Sequence, residues 1–259
     1  MKKQLFIIYI SIFVSCFIIA CKQEKIEKGS NSDYLISSTL WIQRAEEYKA
    51  NCFQAFNLAK IALDKNLENL ENDKTPAIIL DIDETVLDNS EFQARLIKNK
   101  AEYNDNIWAE WVNEMIAKPV SGAIEFLYYA KSRKVEILYI TNRTEATKEA
   151  TIINMARLGF PSIDTTNFAE TYKYFKFKTS GSGKESRRQE FLENYNVILY
   201  IGDNLADFEE QYEKQKREVN NPDISSIKDF FGTKYIVLPN PMYGDWESNE
   251  IIKNRINAL

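Results

Sequence analysis

Four short and nearly continuous apolar runs recur along this chain: AIILDI (77–82), VEILYIT (135–141), VILYIGD (197–203) and KYIVLP (234–239). Helical stretches lie between them, including residues 122–133 and 145–160. Strands of a parallel sheet that is covered on both faces have this apolar composition. Strands that alternate with helices indicate parallel crossover connections. The sequence therefore predicts an α/β fold with a Rossmann-like parallel sheet.

The first three apolar runs each end in polar side chains. In chain order these are Asp81 and Asp83, then Thr141, Asn142 and Arg143, and then Asp203 followed by Asp207. A glycine-rich basic segment, KTSGSGKESRR (178–188), places Lys184 between the second and third runs. Ligands of open α/β sheets bind beyond the carboxyl ends of the strands. We therefore expect these side chains to converge on one site.

The residue types of this site indicate phosphoryl transfer. Clustered carboxylates repel one another unless a cation lies among them, and oxygen ligands alone favour Mg²⁺. The chain has no histidine, which excludes histidine bases, His-ligated zinc and Ser-His-Asp triads. A hydroxyl, backbone N–H groups and the ammonium of Lys184 can bind phosphoryl oxygens beside the cation. Phosphoryl transfer needs little beyond an in-line nucleophile, neutralised charge and positioning.

Each motif alone has an ordinary structural explanation. Aspartate is common in turns and helix N-caps, and threonine and asparagine are ordinary turn residues. All four motifs in this order, each placed after or between strands, favour a phosphoryl-transfer site over four unrelated turns. A receiver domain of two-component signalling uses similar residues, but there an acidic pair precedes the phosphorylated aspartate and no acidic motif follows the lysine. The order of motifs in this chain does not fit a receiver.

The N-terminus is typical of an exported lipoprotein. Lys2 and Lys3 precede an apolar run that ends in small residues before Cys21, as in a signal peptide. Residues 18–21 resemble the bacterial lipobox, which implies cleavage before Cys21 and lipidation of that cysteine. The alternative is an uncleaved anchor helix. Either way we expect the globular part to lie outside the cytoplasm, anchored on the bacterial membrane, at the outer membrane or cell surface.

The remaining chain is divided into a tether and one catalytic unit. We predict a signal peptide over 1–20, a flexible tether over 21–32, N-terminal helices over 33–74 and a catalytic domain over 75–259 with a helical insertion at about 88–120. The apolar stripe from Trp41 to Leu63 predicts one long amphipathic helix or two, and its rings are core rather than a ligand groove. On this stripe Cys52 is expected to be buried.

Composition limits the partners of the protein. With 259 residues and 44% apolar content, the chain can form one sizeable core and a small helical subdomain. The net charge of −5, with no basic stripe, argues against a nucleic-acid polymer as partner. Small anionic ligands remain compatible with local basic groups such as Lys184.

The motifs resemble those of a known family. DIDET (81–85), ITNR (140–143), Lys184 in a K-x-x-R context and GDNLADF (202–208) are similar to motifs one to four of the haloacid dehalogenase (HAD) superfamily. The DIDET and GDNLADF forms, the lipobox, WAEW (108–111), RLGF (157–160) and PNPMYGDWE (239–247) resemble the class C acid phosphatases, a group of bacterial lipoproteins. The resemblance covers nearly the whole mature chain and implies a HAD-type fold.

The resemblance also implies a role for each site residue. Asp81 is the nucleophile that becomes an aspartyl-phosphate, and Asp83 is the general acid and base. Lys184 neutralises the nucleophile and the phosphoryl group, although Lys176 and Lys178 lie upstream in the same region. Thr141, Asn142 and Arg143 bind the substrate. Magnesium is held by the carboxylates of Asp81 and Asp203 and the backbone carbonyl of Asp83, while Asp207 positions water or Lys184.

For substrates, the resemblance implies small phosphomonoesters such as 5′-nucleotides or nicotinamide mononucleotide. The rings that would hold a base are Phe92, Trp108, Tyr243 and Trp246, because aromatic faces stack on bases of any sequence. Trp108 and Trp111 are equally compatible with a place in the core. Family members often pair, which suggests a homodimer. Two other functions remain open, a phosphotransferase and a catalytically silent surface lipoprotein that acts as a binding module.

Overall fold

Five parallel strands form the central sheet of the computed structural model, which describes residues 33–70, 72–213, 216 and 222–247. The strands are Thr75–Leu80 (β1), Glu136–Thr144 (β4), Phe175–Lys178 (β5), Tyr195–Gly202 (β6) and Tyr235–Val237 (β7). They lie in the order β5-β4-β1-β6-β7. A separate antiparallel pair joins Leu87–Asp88 (β2) to Lys118–Pro119 (β3). The predicted parallel α/β sheet is confirmed.

Eight α-helices surround the sheet in the described part of the chain. They are Ile36–Arg44 (α1), Glu46–Leu67 (α2), Ser90–Lys98 (α3), Asp105–Glu114 (α4), Ala123–Ser132 (α5), Lys148–Arg157 (α6), Phe168–Thr171 (α7) and Glu185–Leu192 (α8). The apolar stripe therefore forms two helices, which separate at Ala45 with extended backbone angles. The predicted helical insertion contains α3 and α4.

The sheet has a core on each face. Along β1, Ile78 and Leu80 pack into one core, and Ala77 and Ile79 pack into the other. Successive strand side chains point to opposite faces, so both faces need apolar residues, as the continuous apolar run predicted. Burying one such aliphatic side chain contributes roughly 1.5–3 kcal/mol, which holds β1 in the centre of the sheet.

Helix α2 packs on α5 and on the strands β6 and β7, whereas α1 packs on α3. The stripe on α2 is buried, including the predicted Cys52, Phe56 and Leu63. The rings of Tyr48 and Phe56 are buried in the core, so no ligand groove lies along the stripe on α2. The division into a catalytic domain and a helical subdomain remains a prediction.

Several predictions concern residues outside the described ranges. These are the signal peptide (1–20), the lipidated Cys21, the tether and the last residues of the catalytic domain. Within the described ranges, the helices are too short or too polar to cross a membrane.

Candidate active site

The carboxyl ends of three neighbouring strands meet at one edge of the sheet. Leu80 of β1 pairs with Tyr139 of β4 and with Ile201 of β6. The residues that follow these three therefore lie side by side at the same edge of the sheet. The Asp81 N–H then donates to the Ile201 carbonyl at 3.0 Å and fixes the start of the first loop. This register brings the predicted aspartates and the Thr141 segment together.

Lys184 joins two aspartates at the centre of the site. Its Nζ atom lies 2.5 Å from Asp81 Oδ1 and 2.6 Å from Asp207 Oδ1, and all three residues are buried. A buried ion pair is stable only when its geometry and hydrogen bonds are good. Helix α8 begins directly after Lys184, so this lysine lies at the junction between the glycines of the segment and the helix.

The two aspartates that contact Lys184 also belong to a group of three carboxylates suited to a cation. Asp81, Asp203 and Asp207 each offer an oxygen within 4.8 Å of the others. Asp203 Oδ2 accepts a hydrogen bond from Asn240 Nδ2 at 2.8 Å, and its Oδ1 accepts one from Thr85 at 3.3 Å. Second contacts of this kind orient metal ligands. The donor set is all oxygen and fits a hard divalent cation.

Burial and mutual repulsion raise the pKa values of the Asp81 and Asp203 carboxyl groups. Burial is the main cause of a pKa of about 7 at Asp81, where Lys184 lowers the value and Asp207 raises it. Burial, with Asp207 and Asp81, raises the pKa of Asp203 well above its usual range. At Lys184, burial lowers the pKa, but Asp207 and Asp81 together raise it above its usual value. The site therefore favours a bound cation, which would keep the carboxylates charged.

The carboxylate of Asp83 forms an ion pair with Arg143. Arg143 Nη2 donates to Asp83 Oδ1 at 2.8 Å, and Nε donates to the two carboxylate oxygens at 3.0 and 3.2 Å. Arg143 is only 1% exposed and is absent from the residues that line the cavity. The structure thus places Arg143 behind Asp83, rather than where a substrate-binding residue is expected.

Thr141 and Asn142 are held by a second arginine. Arg187 Nη1 donates to the Thr141 carbonyl at 2.6 Å, and its Nη2 donates to Asn142 Oδ1 at 2.7 Å. Thr141 is fully buried, whereas Asn142 is exposed and lines the cavity. The second motif is therefore fixed to the start of α8, which also carries Lys184 at its N-cap.

A cavity of about 770 Å³ opens above the aspartates. Of the four predicted substrate rings, Phe92, Trp108 and Tyr243 line it and Trp246 does not. The ring centroids of Phe92 and Trp108 lie 5.0 Å apart in an edge-to-face arrangement. Trp246 is 44% exposed outside the cavity lining. Trp111 is buried in the core, whereas Trp108 is partly buried, packs against that core and also lines the cavity.

Sequence reasoning missed several residues of the site. These are Glu84, Asn89, Arg187 and Asn240, which contact the predicted residues directly. Asparagine and glutamate are common in turns and caps, so nothing in their spacing separates them from ordinary loop residues. The K-x-x-R pattern around Lys184 could have indicated Arg187.

Comparison with known proteins decides the family. The sequence model of the HAD superfamily subfamily IIIB (acid phosphatase) matches residues 20–246. The chain belongs to this family. The class C acid phosphatase from Bacillus anthracis is 36% identical, with a TM-score of 0.76 over 87% of this chain and 91% of that chain. A class C acid phosphatase from Bacillus anthracis with tungstate bound is 34% identical, with a TM-score of 0.75 over 87% of this chain and 97% of that chain.

This HAD acid phosphatase is therefore a phosphoric monoester hydrolase. The family, the fold and the enzyme class that the motifs implied are confirmed. The alternative of a silent binding module is wrong, since the comparisons indicate hydrolase activity.

Proposed function

We propose that this acid phosphatase hydrolyses small phosphomonoesters, such as 5′-nucleotides or nicotinamide mononucleotide, through an aspartyl-phosphate on Asp81 with Mg²⁺ as cofactor. The observation that supports this most directly is the buried contact of Lys184 with Asp81 and Asp207 beside the three-carboxylate group. A lysine in this position neutralises the nucleophile before a dianionic phosphate arrives, which lowers the electrostatic cost of attack.

In the first step, a carboxylate oxygen of Asp81 forms a bond to phosphorus and the bond from phosphorus to the ester oxygen breaks. Asp83 donates a proton to the leaving alkoxide. The hydrogen bonds from Arg143 and Asn89 keep the Asp83 carboxyl in one orientation for this transfer. Asn142, which faces the cavity, and Thr141 bind the phosphoryl oxygens.

In the second step, water attacks the phosphorus of the aspartyl-phosphate. Asp83 accepts the proton of this water, the acyl phosphate bond breaks, and Asp81 and inorganic phosphate are released. Asp81 and Asp203, with the Asp83 backbone carbonyl, would hold Mg²⁺, which neutralises charge on the phosphoryl oxygens. Asp207 keeps Lys184 in place through its 2.6 Å contact.

A direct test measures phosphate released from a 5′-mononucleotide by the full chain in detergent, with and without Mg²⁺. We expect release that requires Mg²⁺ and is abolished in Asp81→Asn. Asp229→Asn, a change at an exposed aspartate, is the matched control and should retain activity. Activity that survives chelation and Asp81→Asn would rule out this mechanism. An alcohol added as a second acceptor would reveal phosphotransfer by forming a new ester.

We also propose that the protein is exported and anchored by lipid on Cys21. Support comes from the basic start, the apolar run and the lipobox of residues 1–21. Multiple acyl chains hold a protein on a membrane firmly, so the catalytic unit would act at the membrane surface. A homodimer is proposed on the family resemblance, and its test is the mass of the purified chain in solution.

A further inference from the structure

Glu84 is a buried carboxylate to which the proposed reaction assigns no role. It is only 1% exposed, and a glutamate is almost never fully buried unless its oxygens are bonded. Its backbone has φ of 59°, a left-handed conformation that is unfavourable for a residue with a long side chain. Such strain persists only where the surroundings impose it, and it occurs most often at functional sites.

The turn around Glu84 is fixed by main-chain bonds. The Glu84 N–H donates to the Leu87 carbonyl at 2.8 Å, and the Val86 and Leu87 N–H groups donate to the Ile82 carbonyl, each at 2.9 Å. These bonds direct the Glu84 side chain inward, beneath the wall of the cavity. A glycine would adopt the same backbone without strain, so the backbone alone does not explain the carboxylate.

The Glu84 carboxylate connects two parts of the active site. Tyr243, which lines the cavity, donates its hydroxyl hydrogen to Glu84 Oε2. On the other side, the Asn89 N–H donates to Glu84 Oε1 at 2.8 Å. Glu84 therefore joins the C-terminal wall of the cavity to the loop that begins α3.

Asn89 extends this connection to the general acid. Its Nδ2 donates to Asp83 Oδ1 at 2.9 Å, while its Oδ1 accepts from Trp111 Nε1 at 2.9 Å. The amide nitrogen of Asn89 faces an acceptor and its amide oxygen faces a donor, so the Asn89 side chain has a single favourable orientation. A continuous path runs from Tyr243 through Glu84 and Asn89 to Asp83.

We propose that Glu84 is a positioning residue that holds Tyr243 as a wall of the substrate cavity and, through Asn89, fixes the orientation of Asp83. This inference rests on the proposed function, in which Asp83 is the general acid and the cavity is the substrate site. Tyr243 would then contribute to the affinity for the organic part of the substrate, and Asn89 to the rate.

The test compares kcat and KM of full-length Tyr243→Phe, Glu84→Ala and Glu84→Gln, with Tyr128→Phe as control. Tyr128 is 54% exposed on α5 and does not line the cavity. Each variant is assayed with a 5′-mononucleotide and with glycerol 3-phosphate, whose organic part is small. Tyr243→Phe keeps the ring, so a change in KM reports lost positioning rather than a lost ring.

For Tyr243→Phe we expect a KM for the mononucleotide about tenfold higher with little change in kcat, because the buried hydrogen bond that positions the ring is lost. Its KM for glycerol 3-phosphate should not change. Glu84→Ala should raise the KM equally and lower kcat about tenfold, as is usual when a supporting contact is removed. Adding Tyr243→Phe to Glu84→Ala should raise the KM no further. Glu84→Gln should keep both kcat and KM near their wild-type values, since the glutamine amide can accept from Asn89 and donate to Tyr243.

Two results would overturn the inference. One is an unchanged mononucleotide KM in Tyr243→Phe, and the other is an equal rise in KM for both substrates. Tyr243→Phe and Glu84→Gln keep the test decisive if Glu84→Ala does not fold. If the wild-type protein releases no phosphate, the proposed function fails together with the inference. If it is active and Tyr243→Phe is unchanged, only the inference fails.

Discussion

The ammonium of Lys184 has two buried carboxylate partners, Asp81 and Asp207. Replacing it by methionine would keep the length of the side chain but leave Asp81 and Asp207 without a buried cation. Since removing one preorganised electrostatic contact costs roughly 10²–10³ in rate, we expect kcat of Lys184→Met to fall by about that factor. Lys176→Met is the control, because this lysine lies on strand β5 and does not line the cavity. Equal losses in both variants would contradict the assignment of Lys184.

Arg143 supports a second residue-scale prediction, because its guanidinium contacts Asp83 rather than the cavity. Lysine cannot reproduce two parallel hydrogen bonds to one carboxylate. We expect Arg143→Lys to lower kcat about tenfold while the KM changes little. The exposed Arg157→Lys should match the wild type. A higher KM with normal kcat would instead make Arg143 a substrate ligand, as the motif alone implied.

At the scale of elements, the end of β6 has no room for a side chain. A Cβ added to Gly202 would lie 2.3 Å from Asp207 Oδ2 and 2.5 Å from Asp207 Cβ, so Asp207 would have to move. We expect Gly202→Ala to lower the free energy of unfolding by about 1–3 kcal/mol, as overpacking does. Activity should fall as well, because Asp207 holds Lys184. Chemical denaturation and phosphate release would measure both effects, and normal values for both would show that the loop can move freely.

The strands that carry the site could be predicted because each is a long apolar run. Strand β5 (Phe175–Lys178) was missed because only alternate residues are buried, as expected at the edge of a sheet. The break between α1 and α2 falls at Ala45, where no glycine or proline marks it. Likewise, the strand-end residues Asp81 and Asp203 were found from their position. Asn240 was missed because it contacts Asp203 across 37 residues of sequence, and Asn89 was missed because asparagine is ordinary in the turn where it contacts Asp83 and Glu84. Local patterns contain no signal for such contacts.

At the scale of the whole molecule, the raised carboxyl pKa values link stability to pH and to metal. Burial raises the pKa of Asp81 to about 7 and the pKa of Asp203 above its usual range, so the metal-free folded state binds more protons than the unfolded state. Its stability should therefore fall as the pH rises from about 4 toward about 7. We expect Mg²⁺ to bind the charged carboxylates and to restore stability mainly at the upper end of this range. Thermal unfolding at pH 5 and pH 7.5, with Mg²⁺ or a chelator, tests this. An equal shift at the two pH values would contradict it.

The proposed lipid anchor would determine where the whole enzyme acts. If the chain is cleaved before Cys21 and lipidated there, only about a dozen residues separate the membrane surface from the first helix. Fully extended, they would place the start of that helix at most roughly 40 Å from the membrane. We expect the wild-type protein, expressed in a bacterium, to sediment with membranes and to have a mass that begins at an acylated Cys21. Cys21→Ala should lack the acyl mass and retain residues 1–20, because lipobox processing requires the cysteine. A wild-type mass that includes residues 1–20 without lipid would show that the uncleaved apolar segment is the anchor.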